Sequence, residues 1–533
     1  MESSIEDVQF DWSDECPLPV FQRPEQLVVY DVLHASRDVQ LSLASLVGLL
    51  NRPQPRIYLL SRSNDFFWLS EALQAIPHTV SSLSNVEILH ELLTQYRSVV
   101  QGLIIYDPAL PDTVNVATTM AGLMDGVIVS PDQAESLQQA PYELPVLADL
   151  RKYRWSNRLQ VYQWAYANLL PRCAKHLVAG MDPANALGVR PFLVATNTFI
   201  YWLNPLGFLP QPAQGWQCEY GLMKQILRGY HASAVHLGWF IQEGSGVTMT
   251  SEEAIPVICT DYFSNLEVWS AVQPDLTPSA STDQVEPVVP KVEKKVYLSF
   301  TFSEGDNLQY VQERMLDIWR QPERGSLPLG WPVALVMPQA APEMLAYYQR
   351  TASPDDEFIA APSGVGYSYP SKWLDSARET YLQHTGKLMQ RMQVKLLAVL
   401  DSNYWWHPIL IYRALTTGAG LLLEKPALQR QFAHVLQQFG VRGVLSGGGL
   451  THVSWKFYSG IPIYQNLGTA RSVAEAVSMI KRATPTIRPY FINLYVLAWH
   501  LGPTQLKQVV EQLGSEYEVV TPGTLLAMLP SSP

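Results

Sequence analysis

The sequence predicts an α/β protein, with N-terminal parallel-sheet α/β regions followed by a C-terminal (β/α)-barrel-like domain. Three observations carry that expectation. Short apolar runs rich in β-branched residues alternate with stretches of helical spacing, the pattern of parallel strands joined by crossover helices. The rhythm breaks at 272–293, VQPDLTPSASTDQVEPVVPKVE, where Pro, Ser, Thr and charge replace periodic hydrophobics. Beyond the break, seven strand candidates alternate with helices, enough for a complete or irregular barrel.

Residues 1–25 are polar and proline-interrupted, and read as an extended arm. The run at 27–32 (LVVYDV) is the first strand, 39–50 has helical spacing, and 56–60 is the next strand. Further strands follow at 99–106, ending at Asp107-Pro108, and at 126–129. A helical, aromatic-rich stretch at 154–175 completes an N-terminal α/β domain over 26–175. A middle segment, 186–271, holds strand-like runs at 234–240 (AVHLGWF) and 255–260. It is expected to pack with the barrel, and those two strands are candidates to join it. The break at 272–293 is a linker or surface loop.

The barrel domain is expected over 294–530, with strands at 296–302, 332–337, 358–362, 395–400, 442–446, 461–465 and 490–497. Leu308, Val311, Met315 and Trp319 share one helix face; so do Val473, Ala476, Val477 and Ile480, and later Leu506, Val509, Val510 and Leu513. Gly447-Gly448-Gly449 lacks the Lys-Ser/Thr of a phosphate loop and is expected to turn the chain at the rim. No Gly-x-Gly-x-x-Gly follows the first strand, so no dinucleotide site is assigned.

At 533 residues the chain is long enough for two to four domains, and with 47% hydrophobic and 16% charged residues it can bury large cores. The formal charge is −11, with no long Lys/Arg run, so neither nucleic acid nor an anionic membrane is an expected partner. Cysteines at 16, 173, 218 and 259 form no CxxC pair, and no metal, cofactor or disulfide framework is expected. The first residues, MESSIEDVQF, contain no apolar run, and no stretch approaches 18 apolar residues; a cytoplasmic location is expected. Oligomeric state is left open.

The most informative segment is Gly364-Val365-Gly366-Tyr367-Ser368-Tyr369-Pro370. Glycine permits tight turns and close approach. In extended backbone, side chains at i and i+2 point the same way, so Tyr367 and Tyr369 are expected to face one side together. Pro370 ends the strand and a helix can start near Ser371. Paired aromatic rings with hydroxyl tips suit a sugar.

Functional side chains of a β/α barrel come from the C-terminal ends of its strands. Ser303-Glu304-Gly305-Asp306-Asn307 follows the strand VYLSFTF and offers two acids two residues apart; the competing role is a helix cap by Asp306 or Asn307. Asp261 and Asn265 follow the strand at 255–260, and Glu243 follows LGWFIQ. Asp401, Trp405 and His407 follow the strand VKLLAVL within DSNYWWH. Glycoside hydrolysis needs two carboxyl groups, about 5–5.5 Å apart for retention and about 6.5–9.5 Å for inversion. Asp306 is the first candidate, with Glu304 or Glu243 as its partner. Asn307, Asp261, Asn265, Tyr367, Tyr369, Asp401, Trp405 and His407 are candidate sugar-binding groups.

The heptapeptide resembles, letter for letter, the motif that names the GxGYxYP family, whose label proposes glycoside hydrolase activity. VYLSFTFSEGDN at 296–307, LGW at 329–331, Ala341-Pro342, Phe358-Ile359 and VVTPG at 519–523 resemble the family's C-terminal domain. NVATTMAGL at 115–123 and ADLR at 148–151 resemble its N-terminal region. The resemblance spans roughly 26–530. The family pattern has a second aspartate where this chain has Glu304, which keeps the charge and adds a methylene. The resemblance implies a glycoside hydrolase acting on a carbohydrate. The alternative is a non-catalytic carbohydrate-binding or scaffold protein on a degenerate barrel.

Overall fold

The computed structural model describes residues 18–19, 21–52, 54–211, 217–230, 234–272, 289–303, 305–401, 426–450 and 452–531, with backbone alone at 448–450. Most of the proposed linker lies outside them. The chain divides into two compact units: Met1–Met249, Val257–Asp275 and Gln339–Tyr347 form one, and Thr250–Pro256, Leu276–Pro338 and Tyr348–Pro533 the other.

The first unit carries three small parallel sheets. β1 (Leu27–Asp31) lies between β2 (Ile57–Leu60) and β3 (His78–Val80). β4 (Gly102–Ile105) lies between β5 (Gly126–Val129) and β6 (Val146–Asp149). The third sheet runs β10 (Val257–Ile258), β9 (Val235–Gly238), β7 (Leu177–Gly180), β8 (Phe199–Tyr201). The helix Arg37–Asn51 is capped by Ser36, whose side chain accepts from the Val39 N–H. Its Leu43, Leu46, Val47 and Leu50 join Ile57, Leu59, Leu103, Ile105, Val127 and Val129 in one buried cluster, so a single helix serves the cores of the first two sheets.

The strands expected at 234–240 and 255–260 exist as β9 and β10, but they pair with β7 and with each other and do not enter the barrel. A fully apolar parallel strand looks the same whichever sheet receives it, which is why the sequence misassigned them.

The family-like segments of this unit are structural. Asn115 and Thr118, on the buried helix Thr113–Met124, receive Arg190: its Nη1 donates to Asn115 Oδ1 at 3.2 Å and to Thr118 Oγ1 at 2.6 Å, while Nε and Nη2 donate to the Asn185 carbonyl at 3.2 and 2.6 Å. Asp149 caps the short turn Leu150–Tyr153 and takes a two-pronged bond from Arg151 at 2.9 and 3.0 Å.

The second unit is a closed parallel barrel of seven strands. In ring order these are β11 (Val296–Ser303), β12 (Leu329–Val333), β13 (Asp356–Ala360), β14 (Leu396–Val399), β15 (Gly443–Leu450), β17 (Ile461–Ala470) and β18 (Tyr490–Leu497). β18 returns to β11 over eight residue pairs, Val296↔Tyr490 to Ser303↔Leu497, and β11 meets β12 at Thr301↔Gly330. All seven expected strands are present. β12 starts earlier than expected because Leu329-Gly330-Trp331 belongs to it, and the chain turns helical at Met337. The three glycines at 447–449 lie within β15, at a register shift between Ser446 and Leu450, and not in a turn after it. β16 (Ser454–Tyr458) pairs antiparallel with β17, and β19 (Tyr517–Val519) adds to β11.

Val519–Gly523 explains itself in this unit. Thr521 caps the helix Pro522–Ala527, and the Gly523 N–H donates to Glu357 Oε2 at 2.6 Å near the start of β13. Gly330 and Gly443, near the starts of β12 and β15, leave room for Pro522 and Leu526: a Cβ there would come within 2.8 Å and 2.4 Å of them. The final helix therefore packs against the N-terminal end of the barrel. Burial pushes the Glu357 carboxyl up to about 7, against the pull of the Gly523 N–H. Among the described residues no helix is long and apolar enough to cross a membrane.

Candidate functional site

The barrel has two ends, and the helix Pro522–Ala527 occupies one. At the other, the C-terminal ends of the strands, lie the described residues that follow β11, β13, β14 and β18, where parallel barrels place their chemistry.

The loop after β13 contains the Gly-x-Gly-Tyr-x-Tyr-Pro segment and is held from three sides. Tyr381, on the following helix Asp375–Arg391, donates to the carbonyls of Ser363 at 2.7 Å and Gly366 at 3.1 Å and accepts from Ser368 Oγ at 3.2 Å. Burial pushes its phenol pKa far up, so it stays a neutral donor. Ser363 Oγ bridges to the end of β14, donating to the Leu400 carbonyl at 2.7 Å and accepting from its N–H at 3.2 Å. The Tyr369 N–H donates to Ser251 Oγ at 2.9 Å. Gly364 sits at φ +126°, and a Cβ there would stand 2.5 Å from Thr385 Oγ1 and 2.8 Å from the Tyr381 hydroxyl. Any other residue there would be strained at that φ and would displace those two side chains.

The loop so fixed presents Tyr367 and Tyr369 edge to face, ring centroids 5.7 Å apart and hydroxyls 3.4 Å apart. They share one side, as i and i+2 should. Both side chains are buried, 3% and 5% exposed. Pro370 opens a short 3-10 turn, Pro370–Lys372, ahead of the longer helix.

Asp401, directly past β14, is buried and binds that turn: Ser371 Oγ donates to Oδ1 at 2.8 Å and the Ser371 N–H to Oδ2 at 3.3 Å. After β11, Asp306 occupies the N-cap position of the helix Asn307–Gln312 without capping it through its side chain. Its carboxylate is half-buried at the mouth. Asn307 is buried at φ +22° and folds back to accept from the Leu308 N–H at 2.6 Å. In the ring of seven, β14 stands three strands from β11, so Asp306 and Asp401 follow strands on opposite sides of the barrel. Past β18, the Trp499 ring is 42% exposed and rests edge-on against Tyr310 at 6.5 Å.

Below the mouth the barrel interior is polar. Ser299 and Thr301 of β11 donate to Asn493 Oδ1 of β18 at 2.7 and 3.0 Å. Asn493 Nδ2 donates to Asn466 Oδ1 of β17 at 2.5 Å, and Asn466 Nδ2 to the Ser446 carbonyl of β15. The Tyr495 hydroxyl reaches past β17 to the Leu445 carbonyl, a path that runs through the interior. Ser446 Oγ is buried with no partner. Sequence reasoning missed this set. The available signal was the alternation Ser299-Phe-Thr301-Phe, where Phe302 packs on Trp331 of β12 at 4.7 Å while the Ser299 and Thr301 hydroxyls both reach Asn493. Trp499 and Tyr381 were also missed.

The other expected residues lie elsewhere. Glu304, Trp405 and His407 fall outside the described residues. Glu243, in the first unit, is exposed and opens the helix Glu243–Glu252, whose last residues from Thr250 belong to the second. Asp261, also in the first unit, is buried past β10, with Cys259 Sγ 3.7 Å from Oδ1. Asn265 accepts from the Leu59 N–H and donates to the Leu59 carbonyl, each at 2.9 Å, so its amide extends the edge of β2. Among the described residues no group of three or more His, Cys, Asp or Glu is placed to hold a metal.

Four patterns of one family tile the chain: its first domain at 26–98, second at 100–173, third at 175–271, and the "GxGYxYP putative glycoside hydrolase C-terminal domain" at 294–529. No curated protein sequence matches it. A solved structure described as "a putative hydrolase from Bacteroides thetaiotaomicron VPI-5482" is 20% identical, with 98% of each chain covered and a TM-score of 0.79, which shows a shared fold. A "putative polysaccharide deacetylase from Mycobacterium smegmatis" is 8% identical over 45% of this chain and 92% of its own, at a TM-score of 0.28, too low for a shared fold. By the family patterns that run from residue 26 to 529, the chain belongs to the GxGYxYP family.

Proposed function

We propose that this chain is a hydrolase of glycosidic bonds, working at the C-terminal end of the barrel strands. The observation that carries the reading is convergence: Asp306 from β11, the tyrosine pair from β13 and Trp499 from β18 share one rim above a polar interior. In this reading Asp306 is one of the two carboxyl groups, and Glu304, two residues earlier on the same loop, is the other. Asp401 is a positioning residue, since Ser371 occupies both its oxygens. The tyrosine hydroxyls grip sugar hydroxyls, and the exposed Trp499 indole covers an apolar sugar face. Trp405 and His407, four and six residues after Asp401 in the sequence, are assigned to sugar contacts. Asn265 is given no ligand role, because Leu59 holds its amide.

The test is a panel of glycans with the wild type and Asp306→Asn. Turnover should fall by about 10²–10⁴ while glycan affinity stays within a few-fold. Binding without turnover in both forms would make the chain a carbohydrate binder instead.

A further inference from the structure

Residues 150–181 contain six Lys and Arg and no acid, in a chain whose formal charge is −11. Aromatic residues are interleaved with them. Tyr153 stacks on Trp155 at 4.6 Å with 19° between planes, and Trp164 meets Tyr153 at 4.8 Å and Trp155 at 5.4 Å. The cluster reaches the surface: Tyr153 is 39% exposed, and both indoles are partly exposed. A folded core hides three such rings; here they reach the surface, with the exposed Arg154 between two of them in sequence.

The cations are not all used within the fold. Arg151 and Lys152 pair with Asp149, and Arg158 with Asp112. Arg154, between the two stacked rings in sequence, is exposed and held at φ +54°, a conformation uncommon for arginine. Arg172 is exposed on the same acid-free segment.

We propose that Tyr153, Trp155 and Trp164, with Arg154, form a second carbohydrate-binding surface, separate from the barrel, for a polysaccharide bearing carboxylates. The flat apolar faces of sugar rings match the outer faces of the aromatic cluster, and uronate carboxylates match Arg154. The choice of a sugar polymer over other polyanions rests on the carbohydrate reading above. Nucleic acid is disfavoured by the ring stack, which is already closed between Tyr153 and Trp155 and leaves no slot for a base.

The experiment titrates the full chain with polygalacturonate oligomers at low and moderate salt. Neutral galactan and polyuridylate serve as comparators. Tyr153→Ala and Arg154→Gln change exposed side chains, so the fold should survive both. Each should weaken polygalacturonate binding about tenfold, and Arg154→Gln should also flatten its salt dependence. Asp306→Asn should leave this binding unchanged. Unaltered affinity in both surface variants would overturn the proposal, as would equal binding of neutral galactan or tighter binding of polyuridylate. If no glycan is turned over but this binding persists and responds to the variants, the barrel reading fails and the surface stands.

Discussion

Arg190 in the first unit and Asn493 in the second are both sealed from solvent, and each draws in polar neighbours. The two clusters end differently. Around Arg190, all three guanidinium nitrogens find acceptors on Asn115, Thr118 and Asn185. That set lies among helices and strands of one core and closes on itself. Around Asn493 the chain of bonds runs from β11 through β18 and β17 to β15, and stops beside a Ser446 hydroxyl that has no partner. A packed barrel is normally filled by branched apolar side chains. Polar groups in such an interior are costly unless they are hydrogen-bonded, and here the Ser446 hydroxyl is not. Both clusters sit near family-like segments, so motif resemblance alone does not separate a lock from a site. The separation comes from what the fold leaves unsatisfied.

The contrast breaks first at Arg190. Replacement by Met should cost about 3–5 kcal/mol, because Asn115 and Thr118 lose their buried donor together. Chemical denaturation reads the loss, and the activity of the folded fraction should not change. A cost below about 1 kcal/mol would mean the cluster is no lock.

Glu267 sharpens the same point with pH. It is buried beside Asn51, which donates to Oε1 at 3.0 Å, and Oε2 has no partner. Burial pushes its carboxyl up to about 7. A raised folded pKa means the folded state holds the proton that the unfolded chain gives up above about 4.5. Stability from this group is complete below that pH and is lost as pH rises through about 7. Between pH 5 and 8 the wild type should therefore lose up to about 3 kcal/mol relative to Glu267→Gln. Parallel pH–stability curves for the two proteins would refute the assignment. Glu357, in the second unit, has the same sign.

Gly364→Ala moves the comparison to the mouth. The added methyl meets Thr385 and the Tyr381 hydroxyl at an unfavourable φ, which should cost about 2 kcal/mol and shift the tyrosine pair. The expected signature is a rise in KM larger than any fall in kcat, since the Asp306 loop comes from another strand. Unchanged KM with lowered Tm would assign the loop to packing alone.

How far the sequence reached follows from the same physics. The seven barrel strands were legible because each is an apolar run of strand length set between helices. β16 was missed because it pairs antiparallel at an edge, and β19 because it is three residues long. The helix through Leu308 and Trp319 was legible as a buried face, but its break at Glu313, φ −112° and ψ −84°, was not. Strand-end position was legible for Asp306, Tyr367 and Asp401, which follow β11, β13 and β14. The same rule also selected Asn265, because nothing in a linear pattern shows that an amide will be taken by a backbone 206 residues away. The interior polar set was overlooked because serine and threonine within a strand read as ordinary β residues.

The smallest expected effect is the most discriminating. Thr118→Val in the first unit removes a hydroxyl that accepts from Arg190 at 2.6 Å, and should cost about 1–2 kcal/mol. Ser446→Ala in the barrel removes a buried hydroxyl with no partner, so its stability change should lie within about 0.5 kcal/mol of zero or be favourable. If the interior serves the site, the same Ser446→Ala protein should lose glycan affinity or turnover while keeping its Tm. Equal destabilisation by the two substitutions would show the barrel interior to be a second closed lock. Unchanged Tm with unchanged activity would leave Ser446 outside the site and confine the chemistry to the rim.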